Sequence, residues 1–246
     1  MKRSPIAVAE EIFHNKYADS ELLLLAGSTV RNEATPTSDL DLVILYDNIE
    51  SAYRDSYYWD EWPIEAFVHN LETLRYFFEL DRKSGVPSLP NMVVEGIEIP
   101  EISNLSISIK TMATEFLKKG PPIWEREDID SSRYAITELV EDFKYPRSSA
   151  ELYGTASILY SVLANHYFRS QNIWSAKGKS IPRRFQQVDP DLANQFNEAF
   201  DLVFACKDIT GVIAIAEKIL NQDGGFLFSG YKVNAPSNWK IKLHQT

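Results

Sequence analysis

Two aspartates, Asp39 and Asp41, stand two residues apart at the head of a run in which Leu40, Leu42, Ile44 and Tyr46 share one parity. Such alternation predicts a β-strand, on which residues i and i+2 project from one face with Cα atoms about 6.5 to 7 Å apart. Carboxylates so spaced can clasp one or two divalent cations, and Mg²⁺ in particular takes a few carboxylates together with phosphate oxygens. Upstream, the apolar run Leu22–Ala26 reads as a buried strand ended by Gly27-Ser28. Gly27 permits close backbone approach, Ser28 offers a hydroxyl and a backbone N–H to a phosphate, and Arg31 offers a fork of donors to the same group. Ser38, directly before the aspartates, is grouped with these three as a candidate phosphate contact.

A third acidic group is expected from a neighbouring strand. The stretch Pro63-Ile64-Glu65-Ala66-Phe67-Val68 sets Glu65 among apolar residues. Burying a lone carboxylate there is costly, so a metal or a proton-transfer role explains it, and Glu65 serves as either metal ligand or general base.

Other constellations have two readings each. Lys177 and Lys179 lie in a segment from Trp174 to Arg184 that holds four bases and no acid. They could reach over the β- and γ-phosphates of a nucleotide, or sit on a solvated loop ahead of a Pro-led helix; the glycine spacing of a Walker loop is absent. Glu138, Glu141 and Asp142 at helical spacing, with Glu151, could face a cationic molecule but are explained more cheaply as a solvated helix face. The Tyr and Trp residues between 53 and 62 read first as strand packing and second as a stacking platform. His14, His69, His166 and His244 show no ligand spacing with one another or with Cys206, which argues against zinc. His69 reads as a capping or core histidine and Cys206 as a packing residue.

These residues must be positioned by regular elements. Helices are expected over 5–17 and from Asn70, a good N-cap, to about Lys83 before Ser84-Gly85; strands are expected at 53–58 and 64–69, and a short hairpin over 92–99. Beyond Asn104 the pattern turns helical, at about 104–119, 127–144, 148–172, 189–206 and 209–221, with Pro121-Pro122 and Pro146 as breaks. From Asp223 onward the chain reads as loop or tail. The organisation is α+β over 1–120 followed by an all-helical domain over 121–246. The chain of 246 residues carries a net charge of −10, with the excess acid in residues 1–120. That balance argues against a nucleic-acid partner and favours metal ions and a cationic small molecule. The single cysteine predicts no disulfide framework and a reducing cytoplasm. A secretory leader is not expected, because the apolar run 6–9 ends at Glu10 and Glu11, and no apolar run is long enough to predict a membrane span.

The string Gly27-Ser28-Thr29-Val30-Arg31 followed by Ala34 and Ser38-Asp39-Leu40-Asp41-Leu42 resembles the DNA polymerase beta superfamily of nucleotidyltransferases, in the form seen in small-molecule and antibiotic nucleotidyltransferases. The family's usual Arg-Gly is here Arg31-Asn32, and asparagine tolerates the left-handed backbone. The resemblance covers 22–68 directly. It extends more loosely to the helical carboxy-terminal domains of kanamycin and streptomycin/spectinomycin adenylyltransferases, through the helix at 148–172 and the Trp/Lys-rich loop after it. It implies a mixed sheet with helices on one face, Mg²⁺, ATP or another nucleoside triphosphate as donor, and transfer of a nucleoside monophosphate to a hydroxyl of a small-molecule acceptor by a monomer or homodimer. The competing expectation is a nucleotide-binding regulator or toxin-antitoxin partner of the same fold.

Overall fold

A computed structural model describes residues 2–235; the expectation for His244 lies outside the described residues. The chain forms two compact units, Met1–Pro122 and Ile123–Thr246.

In the first unit α1 (Pro5–Lys16) precedes the strands β1 (Leu22–Ala26), β2 (Leu40–Leu45), β3 (Tyr53–Trp59) and β4 (Trp62–His69). Then follow α2 (Leu71–Ser84), α3 (Ser88–Glu95), β5 (Ile97–Ile99) and α4 (Asn104–Lys118). The sheet is mixed, in the order β3-β4-β2-β1-β5; β4 runs parallel to β2 and the other neighbours are antiparallel. Asp60, at φ 50°, and Glu61 make the tight turn between β3 and β4, a left-handed position of the kind that two-residue hairpins require.

Period-two alternation sorts the side chains of this sheet. Leu23, Leu25, Leu40, Leu42, Ile44, Ile64, Ala66 and Val68 pack with Val8, Ala9 and Ile12 of α1 in one buried cluster. The opposite face carries the ring of His69 against Phe77 of α2, 5.2 Å between centroids. Helices therefore cover both faces, not the single face that the resemblance implies. The reason lies in β1 and β2, which are apolar on both sides and need cover on both.

Asn70 caps α2 as expected: its side chain accepts from Thr73 N, while Thr73 Oγ1 accepts from Asn70 N, and Gly85 ends the helix in the left-handed conformation. The expected hairpin over 92–99 is a helix, α3, followed by the short strand β5. Pro90 sits in the first turn of α3, where a missing N–H costs nothing, and Leu89, Pro90 and Val93 bury one helical face.

The second unit is a bundle of α5 (Arg126–Lys144), α6 (Ser149–Ser170), α7 (Ser180–Val188), α8 (Pro190–Cys206) and α9 (Thr210–Asn221). Its core centres on Phe168, Phe185 and Phe196, with ring centroids 4.6 and 4.7 Å apart along that series. Asp223, Gly224 and Gly225 are fastened rather than loose. Arg133 donates to the carbonyls of Gly224 and Gly225, and His166 lies between Ser132 Oγ at 2.9 Å and Asp223 Oδ2 at 3.0 Å. Among the described residues no helix is long and apolar enough to cross a membrane.

Candidate active site

Parallel pairing of β2 with β4 sets Asp41 opposite Glu65, and antiparallel pairing of β1 with β2 sets Ala26 opposite Asp41. Asp39, one residue ahead of β2, keeps the parity of Asp41. Asp39, Asp41 and Glu65 are each half-buried, and each presents a carboxylate oxygen within 4.8 Å of those of the other two. Their apolar neighbours Leu40, Leu42, Ile64 and Ala66 point to the α1 side, so the sheet's alternation alone separates the acids from that core. Among the described residues this is the one group of three or more side chains suited to a metal ion.

The donor set fits a hard cation: all oxygen, three carboxylates, partly open. Gly27 makes room for this arrangement. It lies at φ 80°, and a Cβ built there would overlap Asp41 Oδ2.

The loop after Gly27 is closed by its two serines. Ser28 Oγ donates to Ser38 Oγ at 3.2 Å, Ser38 Oγ accepts from Thr35 N at 2.8 Å, and Glu33 N reaches Ser28 O at 2.9 Å. Asn32 takes φ 58°, the left-handed position its residue type tolerates. Arg31 does not stand open toward a phosphate. Its Nε donates to Glu33 at 2.9 Å and an Nη to Glu95, at the end of α3, at 2.8 Å. Lys177 and Lys179 are exposed side chains of the second unit, ahead of α7.

One neighbour of the acids was not singled out in the sequence. Arg54 of β3 forms an ion pair with Glu65, and its guanidinium lies over the ring of Phe67. His69, at the end of the strand that bears Glu65, is buried and touches Thr73 Oγ1 through Nδ1 at 3.4 Å. Burial pushes its imidazole down to about 4.

In the unfolded chain a histidine titrates near 6.5 and takes the proton that buried His69 refuses. The resulting stability is present above pH 6.5 and is lost as the pH falls toward about 4. Burial also lowers His166, against the pull of Asp223, and adds a loss of the same sign. The urea midpoint is therefore expected to fall between pH 7 and 4.5, and less steeply in His69→Phe. An unchanged slope in that variant would remove His69 from the account.

The remaining candidates resolve into surface or core. Glu138 accepts from Tyr134 at 2.8 Å, Glu141 pairs with Lys144 at 2.8 Å, and Glu151 accepts from Arg147 N at 2.8 Å, all on solvated faces. Tyr57 and Trp59 pack against the α1 core. Cys206 is exposed, contrary to the packing role expected of it. The buried stripe of α8 runs through Leu192, Phe196, Ala199, Phe200 and Val203, and Cys206 is the last residue of the helix, past the last buried position.

Residues 7–87 match the family model described as nucleotidyltransferase domain. The matched stretch runs from α1 into the loop after α2 and contains Gly27, Ser28, Arg31, Ser38 and all three acids. The α+β fold is nucleotidyltransferase-like, with a mixed sheet followed by a helical region. Among solved structures, the chain is similar to a nucleotidyltransferase-like protein from Exiguobacterium sibiricum 255-15, at 12% identity over 88% of this chain and 74% of that one, with a TM-score of 0.43. No curated protein matches the chain.

Proposed function

We propose that this protein transfers a nucleoside monophosphate, AMP from ATP, to a hydroxyl of a small cationic acceptor of the aminoglycoside type, releasing pyrophosphate. The observation that carries this reading is the convergence of Asp39, Asp41 and Glu65 beside the Gly27-Ser28 turn, within a stretch that matches a nucleotidyltransferase domain.

Asp39 and Asp41 would hold Mg²⁺, with Glu65 completing the set; such an ion supplies charge neutralisation to a triphosphate and to the oxygens on which charge develops. Ser28, Ser38 and the backbone around Gly27 cradle phosphate oxygens. Arg31 contributes to the same anion once it leaves Glu33 and Glu95, and Lys177 and Lys179 are kept as candidate phosphate contacts. In the reaction the acceptor oxygen bonds to the α-phosphorus as the bond to the bridging oxygen breaks. The acceptor's proton passes to Glu65 when that residue acts as general base, and to solvent when it acts as ligand. Residues 1–120 are the catalytic domain in this reading, and residues 121–246 shape the acceptor pocket. The net charge of −10 suits an acceptor bearing ammonium groups.

The test is to offer each of the four α-labelled nucleoside triphosphates with Mg²⁺ or Mn²⁺ and a panel of aminoglycosides, aminocyclitols and neutral polyols, reading pyrophosphate release and label transfer. ATP with a polycationic acceptor is the pair expected to react. Calorimetric binding of a triphosphate without turnover on any acceptor would instead indicate a nucleotide-binding regulator.

A further inference from the structure

We infer that Arg54 is a built-in counter-ion of the acidic triad, and that a divalent cation must take Glu65 away from it in order to bind. The inference rests on the metal-site reading given under the proposed function. β3 is an edge strand, with Ser56 opposite Glu65 and Arg54 opposite Phe67 in its register with β4. Arg54, Ser56, Glu65 and Phe67 therefore share one face, and Arg54 reaches diagonally to the carboxylate, as long side chains do across antiparallel strands. Its guanidinium bonds Glu65 while resting over the Phe67 ring, 5.1 Å from the centroid.

An edge-strand ion pair contributes little as a rule. This one differs in its acceptor. Glu65 belongs to a group of three carboxylates whose ligand atoms lie within 4.8 Å of one another, so the metal-free protein holds like charges together, and Arg54 offsets that repulsion. A compact divalent ion draws the same carboxylate lone pairs toward itself and repels the guanidinium nearby. Arg54 and the cation thus compete for Glu65, and Arg54 sets the cation concentration at which the site fills. It is a positioning residue: it acts on the site through Glu65.

The experiment titrates Mn²⁺ alone, by calorimetry and by loss of the free-ion paramagnetic resonance signal, into the full chain and into Arg54→Gln, Arg54→Lys and Asp41→Asn. Arg54→Gln is expected to bind Mn²⁺ about tenfold more tightly at low salt, with the gap closing to about twofold at 0.5 M KCl, because the guanidinium is more than half exposed and is screened. Arg54→Lys keeps the charge without the fork and should fall between the two; its agreement with Arg54→Gln in sign guards against a folding artefact. In the wild type, Mg²⁺ should also shift the Arg54 Nε–H resonance, which Arg54→Gln identifies by its disappearance.

Equal or weaker Mn²⁺ affinity in Arg54→Gln, with binding still abolished by Asp41→Asn, overturns the role of Arg54 and leaves the metal site standing. Absence of any binding that Asp41→Asn removes overturns the metal site, and the role of Arg54 with it.

Discussion

Asp41→Asn is expected to lower the rate of pyrophosphate release by about 10³-fold or more while the protein stays folded, since removal of one preorganised electrostatic partner already costs 10² to 10³. The amide keeps the size and hydrogen-bonding reach of the carboxylate, so the register of β2 between β1 and β4 has no reason to change. Only the charge goes. Three acids with ligand atoms within 4.8 Å of one another repel when no cation separates them, so the variant should melt at the same temperature as the wild type or slightly above it. The kinetic loss should fall on kcat and on metal affinity, with the acceptor KM little affected. Asp39→Asn should behave alike, because it shares face and spacing. Glu65→Gln separates the two roles open to that residue. As general base it would lose the acidic limb of the kcat profile with Mn²⁺ affinity retained; as ligand it would lose affinity first. Full activity in Asp41→Asn, with Mn²⁺ bound as before, would remove the proposed site.

What could be read from the chain before folding was whatever depends on neighbours in sequence. Asp39 and Asp41 share a face by strand parity, Asn70 caps α2 by local hydrogen bonds, and prolines at 121, 122 and 146 interrupt the helical pattern, so each was legible. The α+β class followed from the same local periodicities. The partner of each acid was a different matter. Asp41 meets Glu65 only because β4 returns parallel to β2, a pairing across 24 residues that no local pattern dictates. Glu65 could be singled out as a charge in an apolar run, but the register opposite Asp41 belongs to the folded sheet.

Arg54 illustrates the limit more sharply. On an edge strand it reads as one more polar residue alternating with aromatics, and the signal available was its parity with Ser56, which mattered only once Ser56 was known to face Glu65. Arg31 shows the same limit from another side: its type suits a phosphate, and only the fold shows that Glu95, at the end of α3, joins Glu33 in engaging it. Glu95 was out of reach of sequence reasoning because it fell within the hairpin expected over 92–99, whereas it is the last residue of α3.

Gly27→Ala is the second variant with a large expected effect, and it tests the site from the backbone side. At φ 80° an alanine costs about 1 to 2 kcal/mol for the left-handed conformation alone. The added methyl must then displace the Asp41 carboxylate, which a Cβ would overlap. If the β1 turn holds, Asp41 turns away from Asp39 and Glu65, and the gap among the three ligand atoms opens beyond what one small ion can bridge. Activity should therefore fall about 10²-fold or more, since an ångström of misplacement at a reacting centre costs that much, while urea unfolding shows a loss of about 2 kcal/mol. The two effects can be told apart by a double-variant cycle. Adding Gly27→Ala to Asp41→Asn should cost almost no further activity, because the carboxylate it would displace is already gone, yet the backbone share of the stability loss should remain. Independent, additive activity losses would mean that Gly27 acts on something other than Asp41, and that the turn contributes to phosphate contact in its own right.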